Sequence, residues 1–221
     1  MARIPARIGS PVAAPLDVTL PRSFYDRPTL DVARDLIGKV LVHNRRGTLT
    51  SGIIVEVEAY IGESDPACHA APGPTTRNAP LYGPPGYAYV YLNYGIHCLV
   101  NVVTEAQGSP AAVLIRALDP IDGIETMQRR RRRPAKGRRA TDAALATTDL
   151  CRGPGNLTMA MGITLAENRL DLLGERLWIE DRGLAVEAIR WGPRIGIRVG
   201  TEHPWRATIA DHAAVSATRS A

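Results

Sequence analysis

Hydrophobic and polar positions alternate most clearly over residues 49–60, LTSGIIVEVEAY. Period-two alternation marks a strand, because successive side chains there face opposite sides. The pattern predicts Ile53, Val55, Val57 and Ala59 on one face. Ile54, Glu56, Glu58 and Tyr60 are predicted on the other. The first face is wholly apolar and reads as core; the second carries two carboxylates and an aromatic ring. KVLVHN (39–44) reads as a preceding strand, with RRGT as the turn between them. Residues 29–37 read as a helix, capped by Thr29 or Asp31 and ended by Gly38. Residues 61–86 are rich in Gly, Pro, Ala and Thr without a clear period, and predict an irregular loop with a helical turn near 65–70.

Three strand-like runs follow, over 86–93, 97–105 and 111–118. Short helices are predicted over 121–130 and 154–161, the second stopped by Gly162. RLWIED (176–181) and RIGIRVG (194–200) read as further strands. Runs of strands with a few helices predict an α+β single domain with a curled, mostly antiparallel sheet and short flanking helices. The expected organisation is a flexible leader over 1–20, one domain over 21–209 and a flexible tail over 210–221.

Composition narrows the class. A hydrophobic content of 45% is that of a globular chain. No apolar run approaches the ~20 residues of a membrane helix, and the Pro-broken N-terminus lacks the apolar stretch of a secretory signal. Cys68, Cys98 and Cys151 are odd in number and widely spaced, which argues against a disulfide framework and for a reducing cytoplasm. The net charge of +5 is uneven: RRRRRPAKGRR (129–139) carries eight positive charges and no acid, so the remainder stands at −3. Such a run reads as a solvated loop, and it can also hold phosphates by releasing counterions.

Candidate chemistry gathers in two places. Five of the seven tyrosines fall in 82–94, YGPPGYAYVYLNY. Tyr87, Tyr89 and Tyr91 are two apart and share a face of any strand, while Tyr94 meets the turn at Gly95. An aromatic strand packs well on a core, and it equally makes a platform for stacking bases. On the 49–60 strand, Glu58 beside Tyr60 is a candidate general base toward water, or simply a solvent-facing glutamate. Arg116, inside the apolar run AVLIRALDP, needs a partner, whether structural or catalytic. Glu56 and Glu58 on one strand face would place carboxyls about 6–7 Å apart, which admits a carbohydrate hydrolase. Cys68–His69 and His97–Cys98 lack metal-ligand spacing, so no metal site is expected. GPPG (83–86) lacks the lysine of a phosphate loop, and neither a dinucleotide fingerprint nor a serine nucleophile elbow is present. No cofactor is expected.

Taken in order, VEVEAYIGESDPACHA, TTRN, YAYVYLNYGIHCLVNVV, VLIRALDP and LCRGPGNLTMAMGI resemble the 3-methyladenine (alkyladenine) DNA glycosylases. The likeness runs from near Thr29 to about Trp205, roughly four fifths of the chain. It implies hydrolysis of the N-glycosidic bond of alkylated or deaminated purines flipped out of duplex DNA. Glu58 would deprotonate and orient the attacking water, and Arg116 would hold that water. Tyr60, His69 and Tyr91 would sandwich the flipped base, and Asn101 would crowd the exocyclic amino group of guanine. Tyr94 would be the wedge left in the duplex. The resemblance also implies double-stranded DNA with damaged purines as the partner, no membrane, a monomer, and a place in the cytoplasm (at the nucleoid in a bacterium). One departure is visible: where some relatives carry a second bulky residue near the wedge, this chain has Ile96 and His97. A non-catalytic binder of damaged or single-stranded nucleic acid would keep the tyrosines yet have no need of Glu58 or Arg116.

Overall fold

The computed structural model describes residues 18–132 and 144–216. In chain order it contains α1 (Arg22–Tyr25), α2 (Thr29–Leu36), β1 (Val40–Arg45), β2 (Thr48–Ile61), β3 (Ala88–Asn93), β4 (His97–Val103) and β5 (Ala111–Asp122). These are followed by α3 (Ile124–Arg132), α4 (Thr147–Leu150), α5 (Pro154–Met161), β6 (Leu177–Glu180), β7 (Ile189–Gly192) and β8 (Arg206–Ile209). The strands form one antiparallel sheet in the order β3-β4-β5-β2-β1-β6. The long β2 forks: its first half pairs with β1, while Glu56–Glu58 pair with β8, which in turn carries β7. A strand that changes neighbours along its length bends the sheet, and the result is a curled half-barrel of the expected α+β class.

The two faces follow the period-two pattern closely over the central strands. One face carries Ala88 and Val90, Val100 and Val102, Val113 and Ile115, Val57 and Ala59, and Ala207. It packs on Val32, Ala33 and Leu36 of α2 and on Leu157, Ala160 and Met161 of α5. Each such aliphatic side chain contributes about 1.5–3 kcal/mol by leaving water, so a charge at Val102 or Ile115 would unmake the core. The opposite face holds one transverse row across five strands: Tyr89 opposite Asn101, Asn101 opposite Leu114, Leu114 opposite Glu58, and Glu58 opposite Arg206. That row is the floor of the site.

β2 departs from the simple alternation. Ile54 pairs with Leu118, Glu56 with Ala117 and Val57 with Ile115, so Val55 is unpaired on β2 and Arg116 on β5. These paired bulges reverse the phase of β2. Ile54 joins Val57 and Ala59 in the main core, while Ile53 and Val55 pack in smaller clusters on the other side. The expected face of Ile53, Val55, Val57 and Ala59 is therefore split. Bulges re-aim side chains, and the one at Arg116 falls where its guanidinium meets Glu56 and Glu58.

Other expectations are refined. The cap residue of α2 is Pro28, with no side-chain cap from Thr29 or Asp31. α5 ends at Gly162 in the left-handed region (φ 75°), as expected. α3 begins at Ile124, later than predicted, because β5 continues to Asp122. The run 194–200 is loop, not strand, and the strands of that region are β7 and β8. Near the predicted leader boundary, Thr19 bridges to Glu180 and Leu20 donates its NH to Ile179. Beyond Ile209, Ser216 bonds to Glu56. α3 runs past the predicted end at 130, so Arg131 and Arg132, expected in the loop, belong to its last turn with Arg129 and Arg130. The remaining leader (1–17), the rest of the Arg-rich run (133–139) and the end of the tail (217–221) lie outside the described residues. No helix among the described residues is long and apolar enough to cross a membrane.

Candidate active site

The tyrosine-bearing face opens into a cavity of about 360 Å³. Tyr60, His69, Tyr91, Asn101 and Arg116 all line it, and Tyr94 stands at its rim. Four separate segments supply them: β2, the loop after β2, the β3–β4 hairpin and β5. Small and aliphatic floor residues, Ala112 and Leu114 among them, leave space for a flat ring.

Glu58 is wholly buried and does not itself line the cavity; it lies behind three residues that do, Tyr60, Arg116 and Ile195. Its Oε2 accepts from the Tyr60 hydroxyl at 2.8 Å and from Nη1 of Arg116 at 3.2 Å. Its Oε1 accepts from the backbone NH of Ile195 at 2.6 Å. A carboxylate offers about four acceptor directions, so one direction on Oε1 remains among the described residues. Burial, then the adjacent Glu58, push the Tyr60 hydroxyl well above its ordinary range, so it remains a donor. Burial alone would weaken the charge on Arg116, but Glu58 and Glu56 outweigh it and raise its pKa. Arg116 is therefore a fixed cation held by two carboxylates.

Glu56 is fully buried as well and likewise does not line the cavity. Its Oε1 receives Nε of Arg116 (2.9 Å), Nε of Arg206 (2.7 Å) and the Ser216 hydroxyl (2.7 Å); its Oε2 receives the Ser216 NH (2.7 Å). Burial raises its pKa, yet Arg116, Ser216 and Arg206 together hold it below the usual carboxylate range. Two carboxylates and two guanidiniums thus balance in charge. The paired-carboxylate reading of Glu56 and Glu58 gives way to one carboxylate beside the cavity and one anchoring arginines behind it.

The aromatic walls are mutually braced. The rings of His69 and Tyr91 meet edge to face with centroids 4.5 Å apart, and Tyr89 and Tyr91 are 5.3 Å apart. Nδ1 of His69 and the Tyr89 hydroxyl share a hydrogen bond of 2.9 Å. Burial, then Arg77, lower the pKa of His69 below its ordinary 6.5, so the ring is neutral at pH 7. Burial pushes the Tyr91 hydroxyl up to about 12. Arg77 lies over the Tyr91 ring, 5.8 Å from its centroid. Asn101, almost fully buried, donates from Nδ2 to the Tyr89 carbonyl at 3.0 Å, which fixes how its amide enters the cavity.

Tyr94 is 87% exposed at the hairpin tip with φ 47°, a conformation that is unusual for tyrosine. Leu92 and Ile96 beside it are also exposed. A bare aromatic ring on a left-handed turn is unfavourable for a monomer in water. Tyr87 does not continue the stripe. It precedes β3, bridges Asp171 and lies under the guanidinium of Arg22.

The chain from residue 23 to 213 matches the model of the family described as methylpurine-DNA glycosylase (MPG). The chain belongs to the methylpurine-DNA glycosylase family. Relatives carrying the name "Putative 3-methyladenine DNA glycosylase" include one from Methanocella arvoryzae, 49% identical over 85% of this chain and 90% of its own. Another, from Burkholderia lata, is 46% identical over 95% of this chain and 97% of its own. A third, from Alkaliphilus oremlandii, is 46% identical over 89% and 98%. Family membership makes the chain a DNA-repair hydrolase, an N-glycosylase of the DNA-3-methyladenine type acting on alkylated purines.

Within this glycosylase, three participants escaped the sequence reading. Tyr89, to which the resemblance gives no role, lines the cavity and hydrogen-bonds His69. Ile195 contributes its backbone NH to Glu58, and Arg194 beside it is buried against Asp65. The alternation of RIGIRVG imitates a strand. Pro193, Gly196 and Gly200 were the signals for a loop, since proline and glycine interrupt strands.

Proposed function

We propose that the enzyme flips alkylated or deaminated purines out of duplex DNA and hydrolyses the glycosidic bond, leaving an abasic site without cutting the strand. The observation that carries this reading is Glu58: a fully buried carboxylate bonded to Tyr60, Arg116 and Ile195, three residues that line an aromatic-walled cavity. A base inside a duplex is out of reach, and extruding it costs a few kcal/mol, least when it is damaged. Stacking on aromatic rings returns roughly 1–3 kcal/mol per base, which is of the same size. In this reading Tyr60, His69 and Tyr91 form the slot, and Tyr94 fills the gap left in the stack. A methylated purine that carries positive charge gains further from ring faces. Asn101 crowds the position where guanine bears its amino group.

Bond cleavage passes through an oxocarbenium-like sugar, as in glycoside hydrolysis. The Glu58 carboxylate stabilises that charge and takes the proton of the water that adds to the sugar carbon. The purine leaves with the bonding pair. Arg116 holds the Glu58 carboxylate in place and shares its hydrogen-bonding with the water. Lys39 and Lys136 are the only lysines. Lys39 is tied to Asp181 at 2.6 Å, and among the described residues no lysine lines the cavity, which supports a reaction without a Schiff base. Incubation with duplex DNA carrying 3-methyladenine or 7-methylguanine tests the proposal. Release of free base that disappears in Glu58→Gln while DNA binding persists is expected. Binding without release by the parent enzyme, or borohydride trapping of a protein–DNA adduct, would overturn it.

A further inference from the structure

We infer that Arg194 is a positioning residue for hydrolysis: it holds in place the two groups, the Tyr60 hydroxyl and the Ile195 NH, that fix the Glu58 carboxylate. The inference rests on Glu58 being the catalytic carboxylate proposed above. The side chain of Arg194 is wholly buried, as is that of Asp65. Nη1 donates to Asp65 Oδ2 at 2.6 Å and to the Ala59 carbonyl at 3.0 Å. Nη2 donates to Asp65 Oδ1 at 2.9 Å and to the Gly200 carbonyl at 3.1 Å. The guanidinium also lies over two rings, 4.7 Å from the centroid of Tyr60 and 5.1 Å from that of Trp205.

These contacts converge on Glu58 from two directions. Tyr60 is pinned by the cation over its ring and by the bond at Ala59, the residue before it. The loop from Pro193 has no strand neighbours over residues 193–200, so the fork and the Gly200 contact set its position. The residue next to Arg194 is Ile195, whose NH reaches Glu58 at 2.6 Å; Ile195 and Ile197 line the cavity. Asp65 is fixed in turn by the NH groups of Ile61 (3.2 Å) and Ala67 (3.1 Å). The loop packs closely on the clamp. A Cβ at Gly200 (φ 63°) would lie 3.0 Å from Nη2 of Arg194 and 3.3 Å from Oδ1 of Asp65.

A buried ion pair contributes little to stability that well-packed apolar residues could not supply. What the planar fork adds is direction, since two parallel bonds fix both distance and orientation. Misplacing a catalytic group by about 1 Å can cost on the order of 100-fold in rate.

The test is single-turnover excision of 7-methylguanine from duplex DNA by Arg194→Lys and Gly200→Ala, with Glu58→Gln in parallel. The first-turnover amplitude with DNA in excess reports the fraction of folded enzyme, and the single-turnover rate constant with enzyme in excess reports how that fraction performs. Affinity for duplex DNA bearing a tetrahydrofuran abasic analogue is measured alongside. Arg194→Lys keeps the charge but loses the fork, and its rate constant is expected to fall on the order of 100-fold with affinity unchanged. Gly200→Ala keeps both clamp residues and presses on them, so a smaller fall is expected. It also decides the matter if Arg194→Lys does not fold. A parental rate constant with reduced amplitude would overturn the inference by assigning Arg194 to folding alone, and so would a slower rate matched by weaker affinity. If Glu58→Gln excises at the parental rate, the underlying reading fails. If it is inactive while the clamp variants keep the parental rate constant, only this inference fails.

Discussion

Nε of Arg116 lies 2.9 Å from Oε1 of Glu56, so the guanidinium that meets Glu58 is anchored by a second buried carboxylate. The arrangement predicts that Glu56→Gln is harmful although Glu56 does not line the cavity. The substitution removes the charge facing Arg116 and Arg206 and turns an amide donor toward existing donors. Breaking a buried pair from one side costs roughly 3–5 kcal/mol. Urea unfolding should register a loss of that order, together with slower excision by the folded fraction. An unchanged unfolding midpoint would contradict the anchoring role.

Acid should destabilise the enzyme in two stages. Burial lowers the pKa of His43 and His69 below their ordinary 6.5, in His43 against the Met161 carbonyl and Glu167, and in His69 with help from Arg77. The unfolded chain therefore binds these protons first, and stability starts to fall as pH drops below about 6.5. Glu56, Asp65 and Glu167 have depressed folded values, because their partners outweigh burial. Their contribution is fully present above the unfolded carboxylate range, about 4, and is lost as pH falls through the lower folded values. Urea unfolding from pH 8 to 3.5 should show both declines, and a gain in stability between pH 6.5 and 5 would contradict them.

Tyr94→Gly should separate stability from function. A non-glycine residue in the left-handed region costs on the order of 1 kcal/mol, and the exposed ring has little packing to lose. The variant is expected to unfold at the same temperature or a higher one. Its excision of a lesion in duplex DNA should be slower, and more so than from single strands. Equal slowing on both substrates would remove the wedge from the account.

Asn101→Ala should enlarge the cavity where Asn101 stands between Tyr89 and Leu114. Release of undamaged guanine is expected to rise while 3-methyladenine release changes less. Guanine release at the parental level would show that discrimination lies elsewhere.

Two arginines of the Arg-rich run, Arg130 and Arg131, have structural partners. Arg130 donates to the carbonyls of Ala160 and Met161, and Arg131 to those of Asp149 and Leu150, so both close the ends of neighbouring helices. Replacing these two with alanine should lower thermal stability. Neutralising Arg133, Lys136, Arg138 and Arg139 should flatten the dependence of log K for DNA on log salt by about 0.9 for each phosphate that is no longer neutralised. An unaltered slope would show that these four charges do not touch DNA.

The sequence alone determined what is local. Alternation located β2, β3, β4 and β5, because period two is written in adjacent residues. The order of the glutamate, tyrosine and arginine blocks pointed to the family. Tertiary structure decided which of these residues meet. The phase reversal at Val55 and Arg116 depends on how two strands 60 residues apart register, and adjacent residues carry no trace of that register. Tyr89 and Tyr87 look alike in sequence, yet only Tyr89 has His69 across from it. Arg194 reads as one alternating residue in a strand-like run. It became a clamp because folding brings it to Asp65, 129 positions away, and brings Ile195 to Glu58, 137 positions away. A buried charge chooses its partner from whatever the fold places beside it, and burial is a property of the assembled sheet and its covering loops.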